Sequence, residues 1–472
     1  MKTKMPKIGI ILVSPPRFHD LGIGTKNGPY SERKEKVANE LLTHFDYAET
    51  VFPGIIYSKE DMENAIIKMK SEDVDMIFAH FLSWADDFAW VRFLRDIGDT
   101  PIMYATIVRD QLGFENSFTE DSFIEFLTAG GLVGSLEGSG DIARLKPHQI
   151  KIVLGSKKEV MDACKQMAEV CALRHELRHR SIALLPSFNE AMWSTYVDPY
   201  DIFTKIGPEI RFLSIVELSE IMNNIDDKEC NKLTKEILSK YEVKGIIDEE
   251  KMAASVKGSL ALEKIARKYD CELLVLNDID KVLQRTIGLR PGFTPCPGTD
   301  DVLVVPEGDI GAGLCAYILK KLTSQHVSFI EPFHIDSQTG TFAAGHAGPN
   351  DYTDELGKTM IATDTRFAKS NLKYAGAPFA NHVFSPGEKT MIHLSENNGK
   401  FKLVATTVEV LESDHFLDGY SHGLFKPHMP VNEFFQKLLE IGVTQHYAIT
   451  AGNLLPKMRL FAQIMGFDYY EI

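Results

Sequence analysis

Apolar residues recur along this chain in two textures. Before about residue 324, short strand-like apolar runs alternate with stretches whose apolar positions fall every three or four residues. Lys7–Val13, Val74–His80 and Pro101–Ile107 are strand-like, whereas Ser31–Phe45, Ser58–Ser71 and Asp86–Ile97 have helical spacing. The alternation continues through the strand-like Ile150–Leu154, Ser181–Leu185, Ile210–Val216 and Cys271–Leu276. Helices are predicted over Lys157–Leu177, Glu249–Tyr269 and Asp309–Leu322. Such alternation implies parallel sheets with helices on both faces. Beyond Ser324, short alternating runs (Val327–Ile330, Thr390–Leu394, Phe401–Val410) are separated by turns such as Glu396-Asn397-Asn398-Gly399. That spacing predicts an antiparallel, barrel-like domain. Helices over Pro430–Ile441 and Lys457–Ile464 follow.

The expected fold is α/β: two doubly wound Rossmann-like or flavodoxin-like α/β domains, then a C-terminal antiparallel β-barrel. The boundaries read 1–155, 156–323 and 324–472, the last segment carrying the terminal helix. A chain of 472 residues exceeds the ~250–300 at which single cores stop growing, which fits several domains. Two segments are ambiguous. The glycine-rich Gly130–Gly140 matches no phosphate-loop pattern and reads as a tight turn lining a cleft. The basic run Arg174–Arg180 reads as a solvated helix end.

Charge removes some functions. The net charge of −15 argues against nucleic-acid binding, which needs clustered Lys and Arg. The six cysteines form no Cys-x-x-Cys pair and sit mostly in apolar runs, so buried free thiols and a reducing compartment are expected. No apolar run reaches the ~18–20 residues of a membrane span. The start of the chain leads directly into a strand without a cleavage pattern, so a cytoplasmic location is the expectation.

The chemistry concentrates in the last third. Glu307 lies in Val-Pro-Glu-Gly-Asp, Glu331 in Phe-Ile-Glu-Pro-Phe-His, His346 in Ala-Gly-His-Ala-Gly and His446 in Thr-Gln-His-Tyr-Ala. Each sits where a strand-like run gives way to turn residues, where side chains can converge. Most glutamates are solvated surface charges, but these two abut apolar runs and a Pro or Gly instead of a polar helix face. Two carboxylates and two imidazoles suit one divalent ion of the Mn²⁺ type and leave positions open for substrate oxygens.

The order Glu-Gly-Asp before a helix, Phe-x-Glu after a strand, Gly-His, and a lone His before the final helix resembles the L-arabinose isomerase family, which belongs with L-fucose isomerase. The likeness spans the chain in architecture and is strongest over Phe293–Asp351 and Gly442–Phe467. It implies that Glu307, Glu331, His346 and His446 bind Mn²⁺, with Co²⁺, Mg²⁺ or Fe²⁺ as alternatives, and that both glutamates move protons. It further implies a trimer or hexamer whose active site is closed by a neighbouring N-terminal domain. The expected activity is aldose–ketose isomerisation of an open-chain pentose or 6-deoxyhexose. The alternatives are a sugar-binding or regulatory homologue without turnover, or a metal-dependent epimerase or aldolase.

The chemistry supports that expectation independently of the likeness. Isomerisation moves a proton between adjacent carbons; a chelated metal stabilises the enediolate, and two carboxylates supply base and acid. Each ligand imidazole needs an acceptor on its other nitrogen, for which Asp309 and His334 are near in sequence. His80 and Trp84 end one strand, and Asn189, Met192 and Trp193 follow another, where open α/β sheets take ligands. His80, Trp84, Asn189, Met192 and Phe333 are the candidate substrate contacts, Met192 because the likeness implies a Met-containing loop touching the sugar at that place. His382, His415, His422 and His428 read as ordinary loop positions. After the first strand the chain reads Val-Ser-Pro-Pro-Arg-Phe-His-Asp where typical arabinose isomerases have Ser-Gln-His-Leu-Tyr-Gly, so its sugar-reading surface differs.

Overall fold

A computed structural model describes the whole chain except residues 2–3, 85–86, 110–118, 129–130 and 146–148. Asp86 and Gly130, which open two of the segments read above, therefore lie outside the described residues. The chain divides into two compact units, one formed by 4–176 with 463–466 and the other by 1–3, 177–462 and 467–472.

The first unit holds a parallel sheet of β1 (Lys7–Val13), β2 (Glu49–Val51), β3 (Ile55–Ile56), β4 (Met76–Phe81), β5 (Ile102–Ile107) and β6 (Ile150–Gly155). Its order, β2-β1-β4-β5-β6 with β3 also on β1, winds outward in both directions from β1. β1 and β4 are buried almost throughout, as expected of strands covered on both faces. The helix Lys59–Ser71 starts at a capping box in which Ser58 Oγ accepts from Asp61 N–H and the Asp61 carboxylate accepts from Ser58 N–H.

The glycine-rich segment is the main departure from expectation, because Leu132–Leu145 is a helix and not a turn. Its small residues serve close packing: a Cβ on Gly138 would lie 2.5 Å from Tyr104 Oη and 2.9 Å from the Phe81 ring. The liberated backbone is used, since Tyr104 donates to Ser135 O (2.8 Å) and Trp90 Nε1–H to Gly138 O (3.1 Å). The basic run is likewise not merely solvated: Arg174 is 6% exposed and pairs with Asp99, and His175 Nδ1 lies 3.0 Å from the buried Asp75.

The second unit begins with another parallel sheet, β7 (Ser181–Leu185) and β8 (Glu209–Phe212), followed by the short β9 (Glu242–Val243), which pairs elsewhere. β10 (Cys271–Leu276) and β11 (Leu303–Val305) complete it in the order β11-β10-β7-β8. The strand expected over 210–216 stops at Phe212, because Ser214 caps a helix over Ile215–Asn223.

The remaining strands are β12 (Val327–Asp336), β13 (Thr341–His346), β14 (Lys358–Thr363), β15 (Pro378–Val383), β16 (Gly387–Asn397), β17 (Lys400–Leu411), β18 (Ser421–Pro427), β19 (Tyr447–Ala451) and β20 (Asp468–Glu471). Six of them close a ring, β17-β16-β19-β12-β13-β18 and back to β17, every pairing antiparallel. This is the expected antiparallel barrel. The buried helix Ile310–Thr323 joins sheet and barrel: Gly313 faces Val275 and Val305, and Gly311 leaves no room for a Cβ against the Leu394 carbonyl. All six cysteines are free and buried, and no helix among the described residues is long and apolar enough to cross a membrane.

Candidate metal centre

In the parallel sheet of the second unit the strand order reverses between β7 and β10, the place where open α/β sheets take ligands at the carboxyl ends of their strands. Three loops meet there. Asn277 N–H donates to Leu185 O (2.7 Å), and Gly308 N–H to Leu276 O (3.1 Å), so the segments after β7, β10 and β11 form one floor. Glu307 rises from it with a left-handed backbone, φ 66°. For a non-glycine residue this costs on the order of 1–3 kcal/mol and persists only where the surroundings impose it. Here the Glu307 N–H is held by Asp278 Oδ1 at 3.0 Å.

The barrel supplies the other groups. His346 ends β13, His446 immediately precedes β19, and Glu331 on β12 stands opposite Gly345 in register. His346 Nε2 lies 3.5 Å from Glu307 Oε1, and His446 Nε2 lies 3.4 Å from Oε2. One ligand atom from each of the three falls within 4.8 Å of the other two. Glu331 is not part of that tight group, although its carboxyl feels the charges of Glu307 and His446.

Tautomers follow from the acceptors. His346 Nδ1–H donates to Ala347 O at 2.5 Å, and His446 Nδ1–H donates to Asp309 Oδ2 at 2.9 Å. Asp309 also caps the helix Ile310–Thr323 through Ala312 N–H, which fixes its carboxylate from two sides. Both rings therefore turn Nε2 toward Glu307. His346 Nε2, His446 Nε2 and Glu307 Oε2 are buried and have no hydrogen-bond partner. Buried polar atoms are almost always satisfied, and three orphans converging on one point fit a metal ion. The buried Glu/His/His group could hold one. Phe329 covers the site with its ring 4.8 Å from each imidazole.

Electrostatics separate the members. Burial alone would raise the Glu307 carboxyl, but the close approach of His446 and the charges of His346, His446 and Arg290 outweigh it and hold the pKa down to about 2. Burial would lower His446, yet the hydrogen bond to Asp309 and the nearby Glu307 carboxylate raise it to about 9. Burial draws His346 down to about 3. Glu331 is raised, by burial and then by the Glu307 charge. The result is one firmly ionised carboxylate beside one that holds a proton more readily.

The remaining candidates are dispersed. Asn189 is buried against Gly308, with Oδ1 accepting from Ala191 N–H and Nδ2 unpartnered. Met192 Sδ accepts from Gln445 Nε2 at 3.1 Å, beside His446. Phe333 is 39% exposed, edge-on to Tyr420. His334 is exposed. His80 and Trp84 belong to the first compact unit. His80 is buried in β4, its Nδ1–H on Ala105 O, and Trp84 packs near Phe18 with Arg17 over its ring. Sequence reasoning missed Asp278 and Arg290, although Asp278 follows a buried strand just as Glu307 does. A scan against protein-family models finds no match, and neither does a search of curated proteins.

Proposed function

We propose that the protein is a divalent-metal-dependent aldose–ketose isomerase acting on an open-chain pentose or 6-deoxyhexose. Its architecture would be the two flavodoxin-like domains and barrel of the L-arabinose and L-fucose isomerases, with a second copy closing the site in a trimer or hexamer. One observation carries the reading: the convergence of three unsatisfied, buried ligand atoms on Glu307, His346 and His446. Mixed imidazole and carboxylate donors suit Mn²⁺, and Co²⁺, Mg²⁺ or Fe²⁺ would use the same atoms.

When bound, the ion supplies Lewis-acid polarisation of a sugar carbonyl and charge stabilisation. The other work falls to the chain. Asp309 orients His446 and keeps its Nδ1 protonated. Glu331, half-buried at the edge of the cluster, takes a proton from the carbon next to the carbonyl and returns it to the neighbouring carbon, with Glu307 as the paired carboxylate. Phe329 keeps water from the imidazoles. Met192 and Asn189 on the β7 side and Phe333 on the β12 side contact the sugar.

The test is to incubate the Mn²⁺-loaded protein with a panel of pentoses and 6-deoxyhexoses in D₂O and follow the products by NMR. A ketose carrying solvent deuterium at C1 is the expected result. Inversion at one carbon without a ketose would make it an epimerase, fragmentation an aldolase, and binding without turnover a sugar-binding protein.

A further inference from the structure

Two of the proposed ligands come from different parts of their unit, and one pair of side chains ties them together. Asp278 follows β10 and is 1% exposed; Arg290, in the Pro/Gly-rich loop after a short helix, is 5% exposed. Arg290 Nε–H donates to Asp278 Oδ2, while the other oxygen of that carboxylate accepts the Glu307 N–H at 3.0 Å. Arg290 Nη2–H donates to Ala347 O at 2.7 Å, and the same carbonyl accepts from His346 Nδ1–H at 2.5 Å. One continuous chain thus runs from the Glu307 backbone through Asp278, Arg290 and Ala347 O to the His346 ring. Space for it depends on Gly348 (φ 98°), where a Cβ would lie 2.5 Å from Asp278 Oδ2 and 2.8 Å from Arg290 Nη2.

We infer that Asp278 and Arg290 are positioning residues that set the metal centre before any ion arrives. Asp278 holds Glu307 in its left-handed turn, so the carboxylate leaves the floor of the sheet toward the barrel. Arg290 anchors the carbonyl that fixes the His346 tautomer, so the free Nε2 faces Glu307. A guanidinium does this because its rigid fork reaches two acceptors in different directions, which an ammonium cannot copy. The inference rests on the metal reading of Glu307 and His346, and it is separable from that reading because it also makes a claim about the metal-free protein.

The experiment compares metal-free and Mn²⁺-titrated protein, wild type against Arg290→Lys. In ¹⁵N–¹H spectra of the metal-free wild type, His346, assigned by its loss in His346→Gln, is expected as the pure Nδ1–H tautomer. Arg290→Lys should mix the two tautomers and weaken Mn²⁺ binding by 10–100-fold, as removal of such supporting bonds does elsewhere. The visible spectrum of the Co²⁺ form should change with it. A buried ion pair that only stabilises the fold would move the melting temperature and leave the tautomer and the Co²⁺ spectrum unchanged; that result overturns the inference. An Nε2–H tautomer in the wild type also overturns it. If Arg290→Lys does not fold, the doubly neutral Asp278→Asn/Arg290→Met answers the same question without leaving a lone buried charge. If the wild type binds neither Mn²⁺ nor Co²⁺, the proposed function falls, while the tautomer comparison still decides the role of Arg290.

Discussion

Two buried clusters in the barrel-containing unit are made of the same residue types and differ in what is left over. Around Glu307, each histidine spends Nδ1–H on a fixed acceptor, and three remaining ligand atoms converge. Around Asp351, the carboxylate is consumed: Oδ1 accepts from Thr353 N–H and Oγ1–H and lies 2.9 Å from His326 Nε2. The neighbouring His382 bonds Thr359 Oγ1 through Nδ1, and its bare Nε2 abuts Gly357, where a Cβ would lie 2.8 Å away. Nearby, Lys389 donates to Ser385, whose hydroxyl donates to Asp354. Among the described residues this second cluster brings no three ligand atoms within reach of one ion. Burying histidine beside carboxylate makes a structural network by default, and it becomes a site only where the leftover lone pairs share a point.

The largest expected effect separates the clusters outright. Exhaustive chelation should abolish turnover and added Mn²⁺ should restore it, since of these two clusters the one around Glu307 has the atoms to give; full activity after EDTA and dialysis would erase the distinction. Next, Glu307→Gln should cost about 10²–10⁴-fold in kcat with the fold intact. His382→Gln should leave kcat within about twofold, so equal losses in the two variants would mean that the clusters had been wrongly ranked. Asp309→Asn keeps a side-chain oxygen for the helix cap but loses the charge on His446 Nδ1. Mn²⁺ affinity should drop about 10–100-fold by calorimetry, and unchanged affinity would show that His446 needs no orienting partner.

The smallest effect is a difference in pH dependence, read by denaturant unfolding of the metal-free protein. Burial, helped by the charge of His326, draws His382 down to about 3. A folded pKa below the unfolded ~6.5 means its contribution is complete above pH 6.5 and is lost as pH falls toward 3. His446 has the opposite sign: raised to about 9, it contributes fully below pH 6.5 and loses that contribution as pH rises through 9. Glutamine at 382 should therefore flatten the acid limb and glutamine at 446 the alkaline limb, each by up to about 1.4 kcal/mol per pH unit. Flattening of the same limb in both variants would contradict the contrast.

Much of this was readable in advance because it is local. Strand-to-turn transitions marked Glu307 and His346, whereas Glu331 lies inside β12 and His446 comes just before β19 instead of after a strand; the loss of helical spacing after Ser324 marked the barrel. What escaped depends on partners distant in sequence. The helix Leu132–Leu145 looked like a turn because its glycines make sense only against Phe81 and Tyr104. His382 and His422 looked like loop residues, yet both are buried in strands, since the apolar neighbours that would signal a core lie on other strands of the sheet. Arg290 was hidden in a loop whose composition gave no hint of an acceptor 57 positions away.

The six cysteines have a practical consequence for conjugation chemistry. Each is at most 3% exposed, and burial pushes every one of the thiols upward, away from the reactive thiolate. A cysteine introduced at an exposed position such as Leu439, which is 73% exposed on its helix, would be the one fast-reacting thiol. A maleimide fluorophore could then be attached at a single defined point on the native protein, with no need to remove a natural cysteine first.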